Sequence, residues 1–261
     1  MNAGLSLALF SLFLIVAVTA WTNVAHRPLP SGAERAIAFS GVAAASGALA
    51  LGPGALGYVV AGIALAVSAF MSFLTFMSGL PSQRPAVAVG RAAPDFRGRD
   101  ADGNEFRLGD RAGSRVVLKF FRGTWCPYCV ADLRGWNDLA PELRALGLEL
   151  VAVSHDTVEE LARFKRRHGY DITFVADPDL AIIRRYNLQN RNFTPKRGPF
   201  RDMAIPAAIL IDVDGKVLWM EQATDFRVRS HPAKVLAAMR AALPAAARKP
   251  AHPGYVAAEA L

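Results

Sequence analysis

One stretch decides the fold of this 261-residue chain: Phe120-Phe121-Arg122-Gly123-Thr124-Trp125-Cys126-Pro127-Tyr128-Cys129. It continues a short apolar run at residues 116–121 that is β-branched at its start, which predicts a buried strand. From residue 127 to residue 146, apolar side chains recur at helical spacing. Proline at the first helical position costs no hydrogen bond. The stretch therefore predicts a strand-to-helix junction, with Cys126 at the N-cap of the helix.

The helix start is expected to activate Cys126. Unpaired backbone N–H groups and the positive end of the helix dipole favour the thiolate, and Arg122 adds positive charge nearby. Cys129 lies one turn further along the same face, where it can attack a mixed disulfide or a sulfenic acid on Cys126. The pattern predicts a nucleophile and a resolving thiol, whose Cys126–Cys129 disulfide is the redox group without any separate cofactor.

Cys126 and Cys129 are the only cysteines in the chain. Two residues so close in sequence cannot close a large loop, so a disulfide between them adds little stability. A zinc site normally needs four ligands, and the sequence offers no second cysteine pair and only five scattered histidines. We therefore expect no metal. Two inert buried thiols and a copper chaperone on the same fold remain the alternatives.

The rest of the domain alternates strands and helices. Strands are predicted at residues 116–121, 148–153, 172–176, 207–212 and 216–221, and helices at residues 127–146, 157–168 and 229–243. Thr157-x-x-Glu160 is a capping box. Asp102-Gly103 and Asp214-Gly215 are hairpin turns. The order, βαβα followed by an antiparallel ββα, predicts a mixed α/β fold.

The motifs resemble a known family. Residues 121–129 are similar to peroxiredoxin-like members of the alkyl hydroperoxide reductase/thiol-specific antioxidant superfamily, as are Ala93-Pro94-Asp95-Phe96, Val153-Ser154-His155-Asp156 and Ile211-Asp212-x-Asp214-Gly215. The resemblance covers about residues 88–243 and implies a thioredoxin fold with antioxidant or disulfide-exchange activity. It implies a thiol reductant, a disulfide-bearing protein or a small peroxide as partner. It gives supporting roles to Arg122, Thr124, Trp125, Pro127, Tyr128 and Pro206, and it makes Pro206 a cis-proline that packs against the dithiol.

The chain departs from the family pattern at three places. Peroxiredoxins carry Pro-x-x-x-Thr/Ser-x-x-Cys, which puts the hydroxyl at Gly123 and the proline at Lys119, so Thr124 is one position off. The buried aspartate of thioredoxins falls at Phe120. The sequence therefore leaves open whether the substrate is a disulfide or a peroxide, and it leaves the dithiol without its usual proton acceptor.

Two further polar residues, His155 and Asp156, end the second predicted strand. If this strand is parallel to the first, both lie at the same sheet edge as Cys126. His155 can then act as a base. A loop histidine beside a helix-capping Asp156 is the plainer interpretation, and we favour it.

The first 80 residues carry only three charged side chains, Arg27, Glu34 and Arg35. Apolar runs at residues 3–21, 36–51 and 55–80 predict a transmembrane anchor of three helices, the middle one short. A cleaved signal peptide is the alternative for the first run, but it lacks a basic start. The basic residues that flank the spans predict a multi-pass protein of the inner membrane whose redox domain faces the cytoplasm.

The remaining chain divides by composition. Residues 81–92 are predicted to be a linker, 93–243 the thioredoxin-like redox domain and 244–261 a flexible tail. The net charge is +8, but zinc-finger spacing and aromatic-basic interleaving are absent from the sequence. We therefore expect a basic surface near the lipid bilayer and no nucleic-acid partner.

Overall fold

The computed structural model describes residues 3–7, 9–11, 13, 31–51, 54–77, 79–81, 83–191, 202–226 and 229–247. The chain divides into two compact units. One comprises residues 1–79 with 227–230, and the other comprises residues 80–226 with 231–261. The second unit contains the Cys126–Cys129 dithiol.

Among the described residues of the first unit, two long helices pack together, α1 (Ser31–Ala50) and α2 (Gly54–Met77). They approach closely at Gly41, where a Cβ atom would lie 3.0 Å from Oγ of Ser68 on α2. The Ser11 hydroxyl donates a hydrogen bond of 2.8 Å to the Gly41 carbonyl. Glycine at position 41 therefore permits a backbone approach that a larger residue would hinder.

The predicted transmembrane anchor is not supported. Its first span, residues 3–21, lies largely outside the described residues. The other two spans coincide with α1 and α2, but within the described ranges no helix combines the length and the hydropathy that crossing a bilayer requires. Helix α1 consists largely of Ala, Gly and Ser and carries Glu34 and Arg35 near its start, which lowers its hydropathy. The predicted multi-pass topology and the predicted lipid contact of residues 1–80 are likewise not supported by the described helices.

The second unit is built on a mixed seven-stranded sheet. Its strands are β1 (Arg97–Asp100), β2 (Glu105–Arg107), β3 (Arg115–Phe120), β4 (Leu148–Ser154), β5 (Thr173–Ala176), β8 (Ala207–Ile211) and β9 (Val217–Gln222), in the order β2-β1-β5-β4-β3-β8-β9. Strands β6 (Gln189–Asn190) and β7 (Met203–Ala204) form a separate antiparallel pair. Strands β3, β4 and β5 are parallel to one another, β8 is antiparallel to its neighbour β3, and β9 is antiparallel to β8. The predicted α/β sheet is confirmed.

In the described part of this unit, five α-helices accompany the sheet: α3 (Pro127–Asp138), α4 (Ala140–Ala145), α5 (Val158–His168), α6 (Ala181–Arg185) and α7 (Pro232–Ala242). The single helix predicted over residues 127–146 is instead broken at Leu139. Pro141 explains the break, because it has no N–H to donate and its ring would clash with the carbonyl of Asn137 in a continuous helix. The capping box before α5 is confirmed, with reciprocal hydrogen bonds between Thr157 and Glu160.

Residues of the predicted linker belong to the second unit and are hydrogen-bonded within it. The Ala86 amide donates to the Tyr186 carbonyl at 2.9 Å, and the Gly90 amide donates to the Val217 carbonyl at 2.8 Å. Of the predicted tail, residues 245–247 form a 3₁₀ turn, and residues 248–261 lie outside the described residues.

The core lies on both faces of β3, because side chains alternate along a strand. Val117 and Phe121 belong to one apolar cluster, together with residues of α3, α5 and α7. Val116, Leu118 and Phe120 belong to the other. Cys126 and Cys129 belong to the first cluster, so the dithiol lies at the edge of a packed layer between the sheet and α3.

Candidate active site

The chain reverses between β3 and α3 so that Cys126 begins the helix. The Cys126 amide donates to the Gly123 carbonyl at 3.2 Å, which closes a turn over residues 123–126. Cys126 is the N-cap, with φ −85° and ψ 113°, and Pro127 is the first helical residue. The Cys129 amide donates to the Cys126 carbonyl at 3.0 Å. Both cysteines are in the thiol form, and each is only 1% exposed.

The structure does not show the expected activation of Cys126. The pKa of the Cys126 thiol is raised, first by its hydrogen bond with the Cys129 thiol and then by burial. The Cys129 backbone N–H and the Arg122 guanidinium favour the thiolate, but they do not outweigh these two causes. The helix N-terminus alone does not make a buried thiol acidic, because desolvation penalises its charged form.

Arg122 lies between two aromatic rings near the dithiol. Its Cζ atom is 4.2 Å from the ring centroid of Phe226 and 5.4 Å from that of Trp125. Its Nε donates to the sulfur of Met203 at 2.9 Å. The ring of Tyr128 meets Phe226 edge-on, with centroids 6.2 Å apart. The structure thus joins three predicted site residues in one cluster, since Arg122 and Trp125 are in contact and Tyr128 reaches Arg122 through Phe226.

Sequence reasoning missed Phe226 and Met203. Each lies more than 70 residues beyond Cys126, and neither belongs to a motif. A lone aromatic residue and a lone methionine give no local signal, so only the fold brings them to Arg122.

Thr124, Ser154 and Asp156 form a second polar group beside the turn. The Asp156 carboxylate accepts hydrogen bonds from the Thr124 amide (2.9 Å), the Thr124 hydroxyl (3.3 Å) and the Ser154 hydroxyl (2.7 Å). Burial is the main cause that raises the pKa of Asp156. The favoured interpretation of Asp156 as a helix cap is wrong, because Thr157 caps α5 and Asp156 binds the turn. His155 is buried at this same edge.

A buried ion pair lies about one helical turn along α3 from the second cysteine. Nζ of Lys119 on β3 is 2.8 Å from a carboxylate oxygen of Asp132 on α3, and the side chains are 6% and 3% exposed. The ammonium also lies 5.2 Å from the centroid of Trp136. Asp132 follows Cys129 by three positions, which puts the two side chains on one face of the helix. The structure therefore contains a buried carboxylate that the sequence analysis did not predict.

The neighbouring strands make room for this pair. Lys119 is in register with Ala152 on β4 and Ala208 on β8, and both of these residues belong to the cluster that contains the dithiol. Small side chains on both sides leave space for a long lysine. A signal existed in the sequence: a lysine within an apolar strand, and an aspartate on the apolar side of a helix.

The prediction of a cis-proline at Pro206 is wrong. No cis peptide bond occurs among the described residues, which include Ile205 and Pro206, so this bond is trans. Pro206 is buried directly before β8, and its carbonyl accepts a hydrogen bond of 2.8 Å from the Ala223 amide. This hydrogen bond continues the pairing of β8 with β9 by one residue.

The metal-handling alternative lacks a ligand set in the described part of the chain. No group of three or more His, Cys, Asp or Glu side chains there is arranged to hold an ion. The dithiol therefore has no third ligand of these types within the described ranges.

Comparison with known proteins supports the redox assignment. The model of the AhpC/TSA family matches residues 89–220. The thiol-disulfide oxidoreductase ResA of Geobacillus kaustophilus is 33% identical over 144 residues, which cover 55% of this chain and 74% of that protein. Peroxiredoxin Bcp of Escherichia coli is 29% identical over 149 residues, which cover 57% of this chain and 92% of that protein.

A solved structure also supports the redox assignment. The crystal structure of peroxidoxin BcpB from Mycobacterium tuberculosis superposes with a TM-score of 0.51 at 25% identity, covering 59% of this chain and 97% of that one. These similarities agree with the thioredoxin-like sheet. The chain belongs to the AhpC/TSA family and is a thiol oxidoreductase.

Proposed function

We propose that this protein reduces disulfides through Cys126 and Cys129. The observation that carries the proposal is the hydrogen-bonded thiol pair at the start of α3, in a chain that has no other cysteine. A pair in this position can be oxidised to an internal disulfide and reduced again. The similarity to a thiol-disulfide oxidoreductase over 74% of its length supports the same activity.

In the first step, the Cys126 thiolate attacks one sulfur of the substrate disulfide. A new S–S bond joins Cys126 to the substrate, the substrate S–S bond breaks, and the departing thiolate takes up a proton. Arg122 favours the thiolate of Cys126. Because Cys126 is only 1% exposed, the site has to open locally before the sulfur atoms meet.

In the second step, Cys129 attacks Cys126. The Cys126–Cys129 disulfide forms, the mixed disulfide breaks, and the second substrate thiol leaves with a proton. We propose that Asp132 takes the proton of Cys129, since its carboxylate is on the same face of α3 and is held by Lys119. The substrate gains two electrons and two protons, and an external dithiol then reduces the enzyme disulfide.

The contacts of Thr124 favour disulfides over peroxides as substrates. Gly123 occupies the place of the family's peroxide-activating hydroxyl. The nearest alternative, the Thr124 hydroxyl, donates to Asp156, so its proton is already engaged. A peroxide would therefore meet no hydroxyl of the usual kind at the usual position.

Peroxide reduction is the second candidate. The similarity to peroxiredoxin Bcp and to peroxidoxin BcpB favours it. In that reaction Cys126 attacks the peroxide, the O–O bond breaks, and Cys126 becomes a sulfenic acid while water or an alcohol leaves. Cys129 then attacks the sulfenic sulfur and releases water.

Two rate measurements on the reduced full-length protein test the proposal. One follows reaction with the disulfide DTNB, and the other follows reaction with hydrogen peroxide; Cys126→Ser is the control for both. We expect the disulfide rate to depend on Cys126 and to exceed that of free cysteine at the same thiolate concentration. A peroxide rate far above that of free cysteine, with an ordinary disulfide rate, would instead establish the peroxidase.

A further inference from the structure

We propose that Asp156 is a positioning residue for Cys126, because its carboxylate fastens the turn that presents the nucleophile. This proposal rests on the proposed function, in which Cys126 makes the first attack. Asp156 follows β4, whereas the turn follows β3, and the two strands are parallel neighbours. Their carboxyl ends therefore meet at one edge of the sheet, where the carboxylate reaches the turn.

The hydrogen bonds of Asp156 cross between these two segments. One carboxylate oxygen accepts from the Thr124 amide at 2.9 Å and the Ser154 hydroxyl at 2.7 Å, and the other accepts from the Thr124 hydroxyl at 3.3 Å. Thr124 lies two residues before Cys126, inside the turn that the Cys126 amide closes on Gly123. The carboxylate thus holds the turn by both its backbone and its side chain.

The helix that follows Asp156 does not need this carboxylate. Helix α5 is capped by Thr157, whose hydroxyl accepts from the Glu160 amide at 3.3 Å. The Glu160 carboxylate in turn accepts from the Thr157 amide at 2.8 Å. Since the capping box is complete, the interactions of Asp156 serve the turn and the end of β4.

The turn fits closely against the end of β4. Gly123 has φ +148°, a conformation that favours glycine. A Cβ atom there would lie 2.6 Å from Nε1 of Trp125 and 3.2 Å from Cε1 of His155. The turn is therefore confined by packing on His155 and by hydrogen bonds to Asp156, which together fix where α3 and Cys126 begin.

A charged carboxylate at the buried position of Asp156 is unfavourable unless hydrogen bonds compensate for its loss of water contacts. Asp156 is 3% exposed, and burial raises its pKa. A buried carboxylate persists where hydrogen bonds offset its desolvation. Two of the three described donors to Asp156 belong to Thr124, so the turn and the carboxylate stabilise each other.

Two substitutions separate the hydrogen bonds from the charge. Asp156→Ala removes the anchor entirely. Asp156→Asn keeps its shape: the amide oxygen can accept from the Thr124 N–H, and the amide nitrogen can donate to the Thr124 hydroxyl. A positioning role through hydrogen bonds therefore predicts that alanine impairs Cys126 and that asparagine largely rescues it.

Asp177→Ala is the matched control. Asp177 is also a buried carboxylate at the end of a parallel strand, and burial likewise raises its pKa. It accepts from the amides of Ile182 (3.1 Å) and Ile183 (2.8 Å), at the start of α6. Its loss should lower stability without displacing Cys126.

The experiment measures alkylation of Cys126 by iodoacetamide against pH. It uses the full chain with Cys129→Ser, with and without each substitution, and it records the thermal unfolding of each variant. For Asp156→Ala we expect the alkylation rate at its high-pH plateau to fall by about tenfold or more. For Asp156→Asn and Asp177→Ala we expect rates within about threefold of the parent.

An unchanged or increased plateau in a folded Asp156→Ala variant would overturn the proposal. Equal losses in Asp156→Ala and Asp177→Ala would also overturn it, because general destabilisation would then explain both. If asparagine impairs the rate as much as alanine does, the charge acts and the positioning role fails. The dithiol role is tested separately by Cys126→Ser, so the two proposals can fail independently.

Discussion

Lys119 and Asp132 form an ion pair of 2.8 Å inside the layer that also contains Cys129. Lysine and aspartate are seldom buried unless they are paired. Burying such a pair generally contributes little net stability, because desolvation offsets the attraction. Its position beside the resolving cysteine therefore suggests a chemical role, which the proposed proton transfer supplies.

Asp132→Asn should slow the second step and spare the first. The asparagine has nearly the same shape but cannot take the Cys129 proton, so the mixed disulfide on Cys126 should accumulate. Loss of general base catalysis predicts a slowing of about 10²-fold or more in resolution. Stopped-flow measurement of the two thiolates released from DTNB separates the steps. Asp138→Asn, an exposed change on the same helix, is the control; equal slowing in both variants would contradict the role of Asp132.

Breaking the ion pair from the lysine side should destabilise the protein. Lys119→Met leaves the Asp132 carboxylate buried without its cation, which predicts a loss of about 3–5 kcal/mol in the free energy of unfolding. The double variant Lys119→Met/Asp132→Leu removes both charges and should recover most of this loss. Urea unfolding of the three proteins measures the effect. A single variant as stable as the parent would show that the carboxylate does not depend on Lys119.

The pH dependence of the free energy of unfolding should reflect the raised pKa of Asp156. Burial raises the pKa of Asp156 above its unfolded value of 3.8, so the folded protein binds this proton more tightly than the unfolded chain does. The free energy of unfolding should therefore fall as the pH rises from about 3.8 through the folded pKa. Asp156→Asn should remove this part of the pH dependence. Urea unfolding of both proteins at a series of pH values tests this prediction. If the free energy of unfolding changes with pH to the same extent in both proteins, the raised pKa of Asp156 is contradicted.

Arg122 should set how readily Cys126 ionises. Its charge lowers the pKa of the Cys126 thiol, so Arg122→Gln should shift the midpoint of iodoacetamide alkylation to higher pH. Arg122→Lys keeps the charge but loses the planar group that stacks between Trp125 and Phe226, so we expect a smaller shift. An unchanged midpoint in Arg122→Gln would show that the guanidinium does not act on the thiol.

Local features of this fold could be predicted from the sequence. The strand-to-helix junction at Cys126, the capping box at Thr157 and the hairpin at Asp214-Gly215 are set by residues within a few positions of one another. Neighbouring residues restrict backbone conformation directly, so their pattern carries the information. The mixed sheet followed from the order of these elements.

The polar contacts of the site could not be predicted in the same way. Asp156 reaches Thr124 across 32 residues, and Lys119 meets Asp132 because a strand and a helix pack in one particular register. The raised pKa of Cys126 depends on burial, which the helix N-cap position alone does not reveal. Pro206 is trans although the resemblance implied cis, because tertiary context and not the proline itself selects the isomer of an ordered X–Pro bond.

Trapping the mixed disulfide is the most direct test of the roles proposed for Cys126 and Cys129. Full-length protein with Cys129→Ser is reacted with DTNB, and the adduct is located by mass spectrometry of its peptides; Cys126→Ser is treated in parallel. We expect a stable adduct on Cys126 in the first protein, and in the parent we expect the adduct to be released as the Cys126–Cys129 disulfide forms. An adduct that forms on Cys129 when Cys126 is intact, or a Cys126→Ser protein that still reduces DTNB at the parent rate, would contradict these roles.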